Sequence, residues 1–418
     1  MNALPLSDIR VLDLSRLLPG GFCSLLLADY GADVLKVEDT AAGDYIRWAP
    51  PVVEGAAASA ASALFLALNR NKRSIRIDLK TDAGREVLLT LARSHDVVLE
   101  SFRPGVLDRL GVGWVALRAA NPQLVLCSIT GYGQDGPLRD RAGHDLNYLG
   151  LIGMLGLGGE APDGPPLQSP AQIADLGGGA LMAAFGILAA LRERDRSGEG
   201  QHVDVAMADG ALAWLALVAA RHLNGDEGAE PPRRGRLELA GGLACYRPYA
   251  CADGGWVALG ALEEKFWAAW CRGVGREDLA GEQFAGPGSP GVAAVEAVFA
   301  ARTRAEWEAF AAEHECCLDP VLDLGEALSS ELVRAREMVV ELDQPGAARP
   351  VSLLGAPVKL SRTPADTNRL PGPQLGEHTE AVLRRAGYDG ARIARLVEDG
   401  AVAGPPDRAA PPGGSFRV

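Results

Sequence analysis

Ile9-Arg10-Val11-Leu12-Asp13-Leu14, then Gly21-Phe22-Cys23-Ser24-Leu25-Leu26-Leu27-Ala28-Asp29-Tyr30, then Asp33-Val34-Leu35-Lys36-Val37-Glu38, is the stretch that decides the fold. The outer two are apolar runs of strand length, and the middle one carries a helical pattern. The alternation continues. Ser74–Asp78 reads as a strand, Ala83–Ser94 as an amphipathic helix, and Asp96–Glu100 and Leu124–Ile129 as strands. Strands separated by helical crossovers predict an α/β fold, with a Rossmann-like parallel sheet covered on both faces and ligands beyond the carboxyl ends of its strands.

The chain around this unit is long, 418 residues, with 48% hydrophobic and 23% charged, so two or three packed domains are expected. Gly 51 and Pro 27 fall short of the fraction that marks low-complexity chain. Lys+Arg 41 against Asp+Glu 54 leaves a net charge of -13, which repels phosphate backbones and argues against a nucleic-acid partner. The uncharged stretch Leu176–Leu191 contains four glycines and is shorter than the roughly twenty residues of a spanning helix, so no membrane segment is expected. The start, MNALPLSDIR, meets Asp8 before an apolar run can form, which disfavours a secretory or transit segment and predicts a cytoplasmic protein. Seven cysteines in an odd, scattered pattern, with neither a CxxC pair nor a Cys/His metal spacing, predict reduced and mostly buried thiols.

Composition shifts mark the organisation. Gly156–Ser169 is Gly/Pro punctuation and predicts a loop, and Gly177–Leu191 predicts a small-residue helix able to approach its neighbours closely. Charge, Pro and Gly accumulate over 225–236, the expected linker between a large domain (1–224) and a smaller α+β domain (237–330). The smaller domain opens with a strand-like run, Tyr246–Leu259. Residues 331–403 are expected to return to the large domain, with Pro350–Ser361 as strands returning to a sheet, and 404–418 to form a disordered tail.

The first strand is followed by Ser15-Arg16-Leu17-Leu18-Pro19-Gly20-Gly21, which lacks the GxGxxG dinucleotide fingerprint, so nicotinamide and flavin lose their main support. Three acid–base candidates remain. His144 stands beside Asp145 after the Gly-rich turn Gly131–Pro137; a lone His at such a junction is commonly structural. Asp175 precedes Gly177-Gly178-Gly179, either as a helix N-cap or as a poised base or nucleophile whose neighbouring N–H groups hold an oxyanion. Glu263, paired with Glu264 after an apolar run, is ordinarily a solvated cap. Basic residues suited to an anionic nucleotide recur in Asn69-Arg70-Asn71-Lys72-Arg73 and at Lys80, Arg103 and Arg109, where surface salt links are the ordinary alternative.

Several segments together carry a resemblance: Gly31–Val34, Asn69–Ser74, Ile77–Lys80, Ser101-Phe102-Arg103-Pro104-Gly105-Val106, Gly131-Tyr132-Gly133-Gln134 and Asp175–Gly179. From about residue 5 to 395 the chain resembles the family III CoA-transferase (CaiB/BaiF) superfamily. Ala142-Gly143-His144-Asp145-Leu146-Asn147-Tyr148 and Ala261-Leu262-Glu263 resemble its α-methylacyl-CoA racemase branch, whereas Asn69–Ser74 and the loop between Glu38 and Leu68 look more like the transferases. The resemblance implies an acyl-CoA substrate, no cofactor beyond the CoA it carries, no metal, and an interlocked homodimer. It implies His144, Asp175 and Glu263 as catalytic residues, and Leu17, Lys36, Lys80, Arg103, Arg109, Asp145 and Tyr148 as CoA-binding residues. The reaction implied is racemisation of 2-methylacyl-CoA. The alternatives are CoA transfer between carboxylic acids through an aspartyl thioester at Asp175, and plain acyl-CoA binding.

Overall fold

Six parallel strands organise the first part of the chain: β1 (Arg10–Asp13), β2 (Asp33–Glu38), β3 (Lys72–Ile77), β4 (Val97–Glu100), β5 (Val125–Thr130) and β6 (His202–Ala206). They lie in the order β3-β2-β1-β4-β5-β6, and Val402–Ala403 adds a short antiparallel edge beside β3. β2 and β5 are buried almost throughout, as strands with both faces covered must be. The winding reverses between β1 and β4, so the carboxyl ends of these two strands form the switch point, the place where open α/β sheets bind their ligands. Leu12, Leu35, Ile75, Val98 and Leu126 from the sheet pack with Val87, Leu88 and Leu91 of the helix Asp82–Ala92 in one core.

The computed structural model describes residues 3–226 and 230–406. The chain divides into two compact units. The larger comprises Met1–Tyr148, Ala171–Ala213 and Arg334–Val418, and the second comprises Leu149–Pro170 and Trp214–Val333. The expected linker at 225–236 falls inside the second unit, and its residues 227–229, like 407–418 of the expected tail, lie outside the described residues.

Two expectations are corrected within the larger unit. Within Pro350–Ser361 only Val351–Leu354 is a strand, and its sheet is a separate hairpin, paired antiparallel with Val339–Leu342, rather than the large one. The returning strand is Val402–Ala403, too short to show as an apolar run. The small-residue helix starts earlier than expected, at Ile173, and runs to Ser197, long and apolar enough by composition to cross a membrane. Half of its most apolar window is buried, and the helix packs on β5, β6 and the helix Leu17–Asp29.

The second unit holds a three-stranded antiparallel sheet, Tyr246–Ala250, Trp256–Gly260 and Leu318–Pro320, in which the strand-like run Tyr246–Leu259 forms a hairpin. Trp267, Trp270, Phe299 and Trp307 form its aromatic core, with Trp270 and Phe299 stacked at 5.3 Å. Each such pair contributes about 0.5–1.5 kcal/mol beyond area burial. All seven cysteines are free thiols, six buried and Cys317 exposed.

Candidate active site

The candidate site is built where β5 ends. Gly131 follows Thr130, and a Cβ there would lie 2.6 Å from the Tyr148 ring; one at Gly143 would lie 2.7 Å from it. The two glycines therefore admit Tyr148 between the two loops. Its hydroxyl donates to the Gly143 carbonyl at 2.6 Å and its ring meets Tyr132 edge-on at 5.1 Å. Burial pushes the Tyr148 phenol well above its ordinary range, with the charges of Asp175, Tyr132 and Asp145 adding to it.

His144 ends the second loop and caps the helix Asp145–Leu151 with its backbone carbonyl, which accepts from the N–H of Asn147 and Tyr148. The Asn147 side chain accepts in turn from the His144 N–H at 3.0 Å. The imidazole is left exposed, with no hydrogen-bond partner among the described residues.

Asp175 is not the helix N-cap that its place before three glycines suggests. It is the third residue of a helix whose first turns, Ile173–Leu181, are wound as a π-helix, with Gln172 as the cap. Such wide turns concentrate at functional sites. Gly178 and Gly210 let this turn and the helix Met207–Ala213 meet backbone to backbone, since a Cβ at Gly210 would lie 2.0 Å from the Gly178 carbonyl oxygen. Asp145 joins the two catalytic candidates: its Oδ1 accepts from the backbone N–H of Ala174 at 2.6 Å and of Asp175 at 3.0 Å. Burial, helped by the Asp145 charge, pushes the Asp175 carboxyl up to about 7. The expectation that the first N–H groups of this helix stand ready for an oxyanion needs correcting, because Asp145 occupies two of them and the Leu176 N–H is bonded to Gln172.

The CoA-binding candidates separate into two groups. Lys80, Arg103 and Arg109 are exposed near the carboxyl ends of β3 and β4, and none makes an ion pair among the described residues. A Cβ at Gly105 would lie 3.3 Å from Arg109 and 3.7 Å from Arg139, so both guanidiniums flank one glycine. Arg139 was not among the expected residues. Leu17 stands at the switch point with a left-handed backbone (φ 60°), and its N–H points to the Asp44 carboxylate at 3.2 Å.

Lys36, expected among the CoA-binding residues, has its side chain engaged inside the protein. Its side chain is fully buried, pairs with Asp44 at 2.9 Å and donates to the Ser15 carbonyl at 3.0 Å. Burial works against its charge, but Asp44, Asp13 and Glu38 outweigh burial and hold its pKa up. Asn69 to Lys72 of the basic run are likewise internal, and Arg73 is half-buried. Arg70 is buried against Asp29 at 2.7 Å, Lys72 against Asp13 at 3.4 Å, and Arg73 pairs with Asp33 at 2.6 Å. Charges as deeply buried as Arg70 and Lys72 are tolerated only when paired, and this pairing leaves the two no free charge for a nucleotide.

Glu263 belongs to the second unit. It is exposed at the N-cap of the helix Glu264–Gly273 without making a capping bond, and its charge is one of those that keep the Cys317 thiol raised, behind burial. One acid went unread in the sequence. Glu100 closes β4 at the switch point, accepts from the Phe102 N–H at 2.7 Å and is pushed by burial up to about 7. Its place at the carboxyl end of an apolar strand is the signal that marks it. Among the described residues, no group of three or more His, Cys, Asp or Glu is arranged to hold a metal ion.

The model of CoA-transferase family III matches residues 6–379. The chain is 36% identical over 400 residues to an alpha-methylacyl-CoA racemase of Mus musculus, covering 94% of this chain and 96% of the relative. It is also 36% identical over 398 residues to a succinyl-CoA:mesaconate CoA-transferase of Haloarcula marismortui, covering 92% and 97%. Among solved structures, a CAIB/BAIF family protein from Brucella suis superposes with a TM-score of 0.78 at 32% identity, over 92% of this chain and 100% of that one. A match of this extent makes the chain an enzyme of CoA-transferase family III.

Proposed function

We propose that the protein racemises 2-methylacyl-CoA thioesters by exchanging the α-proton between two bases. The observation that carries this reading is Asp175, a carboxyl held at about 7 and tied through Asp145 to the loop that presents an unpartnered His144. A group titrating near working pH both takes and returns a proton effectively. Inversion needs two such groups on opposite faces of the α-carbon: one removes the proton, the thioester carbonyl receives the charge as an enolate, and the other returns a proton. Lys80, Arg103 and Arg109 supply free positive charge for the phosphates of CoA, and no cofactor beyond the CoA of the substrate enters the scheme.

The same reading takes the active form as an interlocked homodimer, with the site shared between the large domain of one protomer and the small domain of its partner. Leu181, Phe185 and Leu188, on one helix, leave an apolar stripe exposed that suits such an interface, Phe185 being 72% exposed. Glu263 would then reach a His144 of the other protomer and orient it.

The second reading is CoA transfer between two carboxylic acids with Asp175 as nucleophile, favoured by the 36% identity to the mesaconate transferase. The two separate on variants and trapping. Racemisation of a single 2-methylacyl-CoA enantiomer that falls in both His144→Ala and Asp175→Ala supports the first. An Asp175 adduct captured by hydroxylamine, with His144→Ala fully active, supports the second.

A further inference from the structure

At the amino ends of β1, β2 and β3, the end of the sheet away from the candidate site, lies a cavity of about 140 Å³. Its floor is apolar, with Leu35, Leu91 and Val382, and its wall carries Arg10, Arg73, His95 and Arg385 with a single acid, Asp33. Asp33 is committed to Arg73, which it meets through both oxygens at 2.6 and 2.7 Å. Arg10 and Arg385 make no ion pair among the described residues, and the only side-chain hydrogen bond of Arg10 is a long one to the Ser94 carbonyl, 3.3 Å. His95 is 7% exposed and uses Nδ1 on the Leu91 carbonyl at 2.7 Å. Two uncompensated guanidiniums over an apolar floor are unusual in a chain with a net charge of -13.

We propose that the cavity walled by Arg10, Arg73, His95 and Arg385 binds one small oxyanion, of the size of inorganic phosphate or a short-chain carboxylate. The helix-end carbonyl of Ser94 uses part of one guanidinium; it leaves the rest of Arg10 and the whole of Arg385 to grip two oxygens of an anion in the forked manner that suits guanidinium. The apolar floor would seat the alkyl part of a carboxylate and gives phosphate nothing, so the two sources differ in affinity. The site stands independently of the reaction proposed above, since none of its residues belongs to the acid–base machinery.

The test is a titration of the full-length protein, labelled at histidine, with inorganic phosphate and separately with isobutyrate at constant ionic strength, following the His95 ring by NMR and assigning it with His95→Asn. The expected result is a saturable shift with half-saturation at or below about 5 mM for at least one anion. The His95 pKa should also rise on binding, because an anion opposes the burial, and the Arg10 and Arg73 charges, that hold it low. In folded Arg10→Gln and Arg385→Gln the half-saturation point should rise about tenfold or more. Tighter binding of isobutyrate than of phosphate assigns a carboxylate ligand, and the reverse assigns phosphate. No saturable shift with either anion, or one unchanged in both arginine variants, would overturn the proposal.

Discussion

Asp145 holds the peptide of Asp175: its Oδ1 takes the N–H of Ala174 at 2.6 Å and that of Asp175 at 3.0 Å, so the residue after His144 fastens the turn that carries the other candidate base. One carboxylate thus fixes the spacing of the pair and, by its charge, adds to the burial that raises Asp175.

Replacing Asp145 separates those effects. Asp145→Asn keeps an acceptor for the two N–H groups and removes the charge, so Asp175 should titrate below about 7. The limb of the pH–rate profile assigned to Asp175 should shift to lower pH with folding preserved. Asp145→Ala also loses the two bonds and should cost about 2 kcal/mol in denaturant unfolding.

The raised acids predict a pH dependence of stability. Asp175 and Glu100 keep their protons in the fold up to about 7, whereas the unfolded chain releases them near 3.8 and 4.5. The unfolded state therefore binds fewer protons in that window, and stability falls as pH rises through it. Asp175→Asn and Glu100→Gln should each be more stable than the native protein at pH 8, by about 3–4 kcal/mol, and equal to it below about pH 3. Equal stabilities at pH 8 would show that neither acid is raised.

Lys36 should behave as a buried half of an ion pair. Lys36→Met leaves Asp44 at 1% side-chain exposure without its ammonium and should destabilise by about 3–5 kcal/mol. A surface CoA contact would instead raise KM and leave the melting temperature unchanged.

Two glycines in other helices, Gly210 in Met207–Ala213 and Gly156 in Met154–Leu157, differ in what they tolerate. Gly210→Ala drives a Cβ into the Gly178 carbonyl and should cost about 1–3 kcal/mol. Gly156→Ala meets nothing within 4 Å and should unfold like the native protein.

These contrasts also show what can be read from sequence. The strands from β1 to β5 were legible because buried parallel strands are short uninterrupted apolar runs, and β2 was placed to the residue. β6, His202–Ala206, alternates polar and apolar residues beside a helix end and went unread, as did the two-residue edge Val402–Ala403. His144 and Asp175 were legible as chemistry-bearing residues beside glycines. The roles of Lys36, Arg70 and Lys72 were not, because a buried ion pair and a surface phosphate contact use the same residue types, and only the partners Asp44, Asp29 and Asp13, 8 to 59 positions away, tell them apart. The bond from Asp145 to Asp175 spans 30 residues and has no sequence signature at all.

The most direct test of two-base exchange is an NMR time course of one enantiomer of a 2-methylacyl-CoA with the purified protein in D₂O and no acid acceptor present. Two-base exchange predicts loss of the α-proton signal together with appearance of the opposite, deuterated enantiomer, and both should fall by about 10²–10⁴-fold in Asp175→Asn. Retention of the α-proton across several 2-methylacyl chains, with CoA passing to an added carboxylic acid, would contradict it.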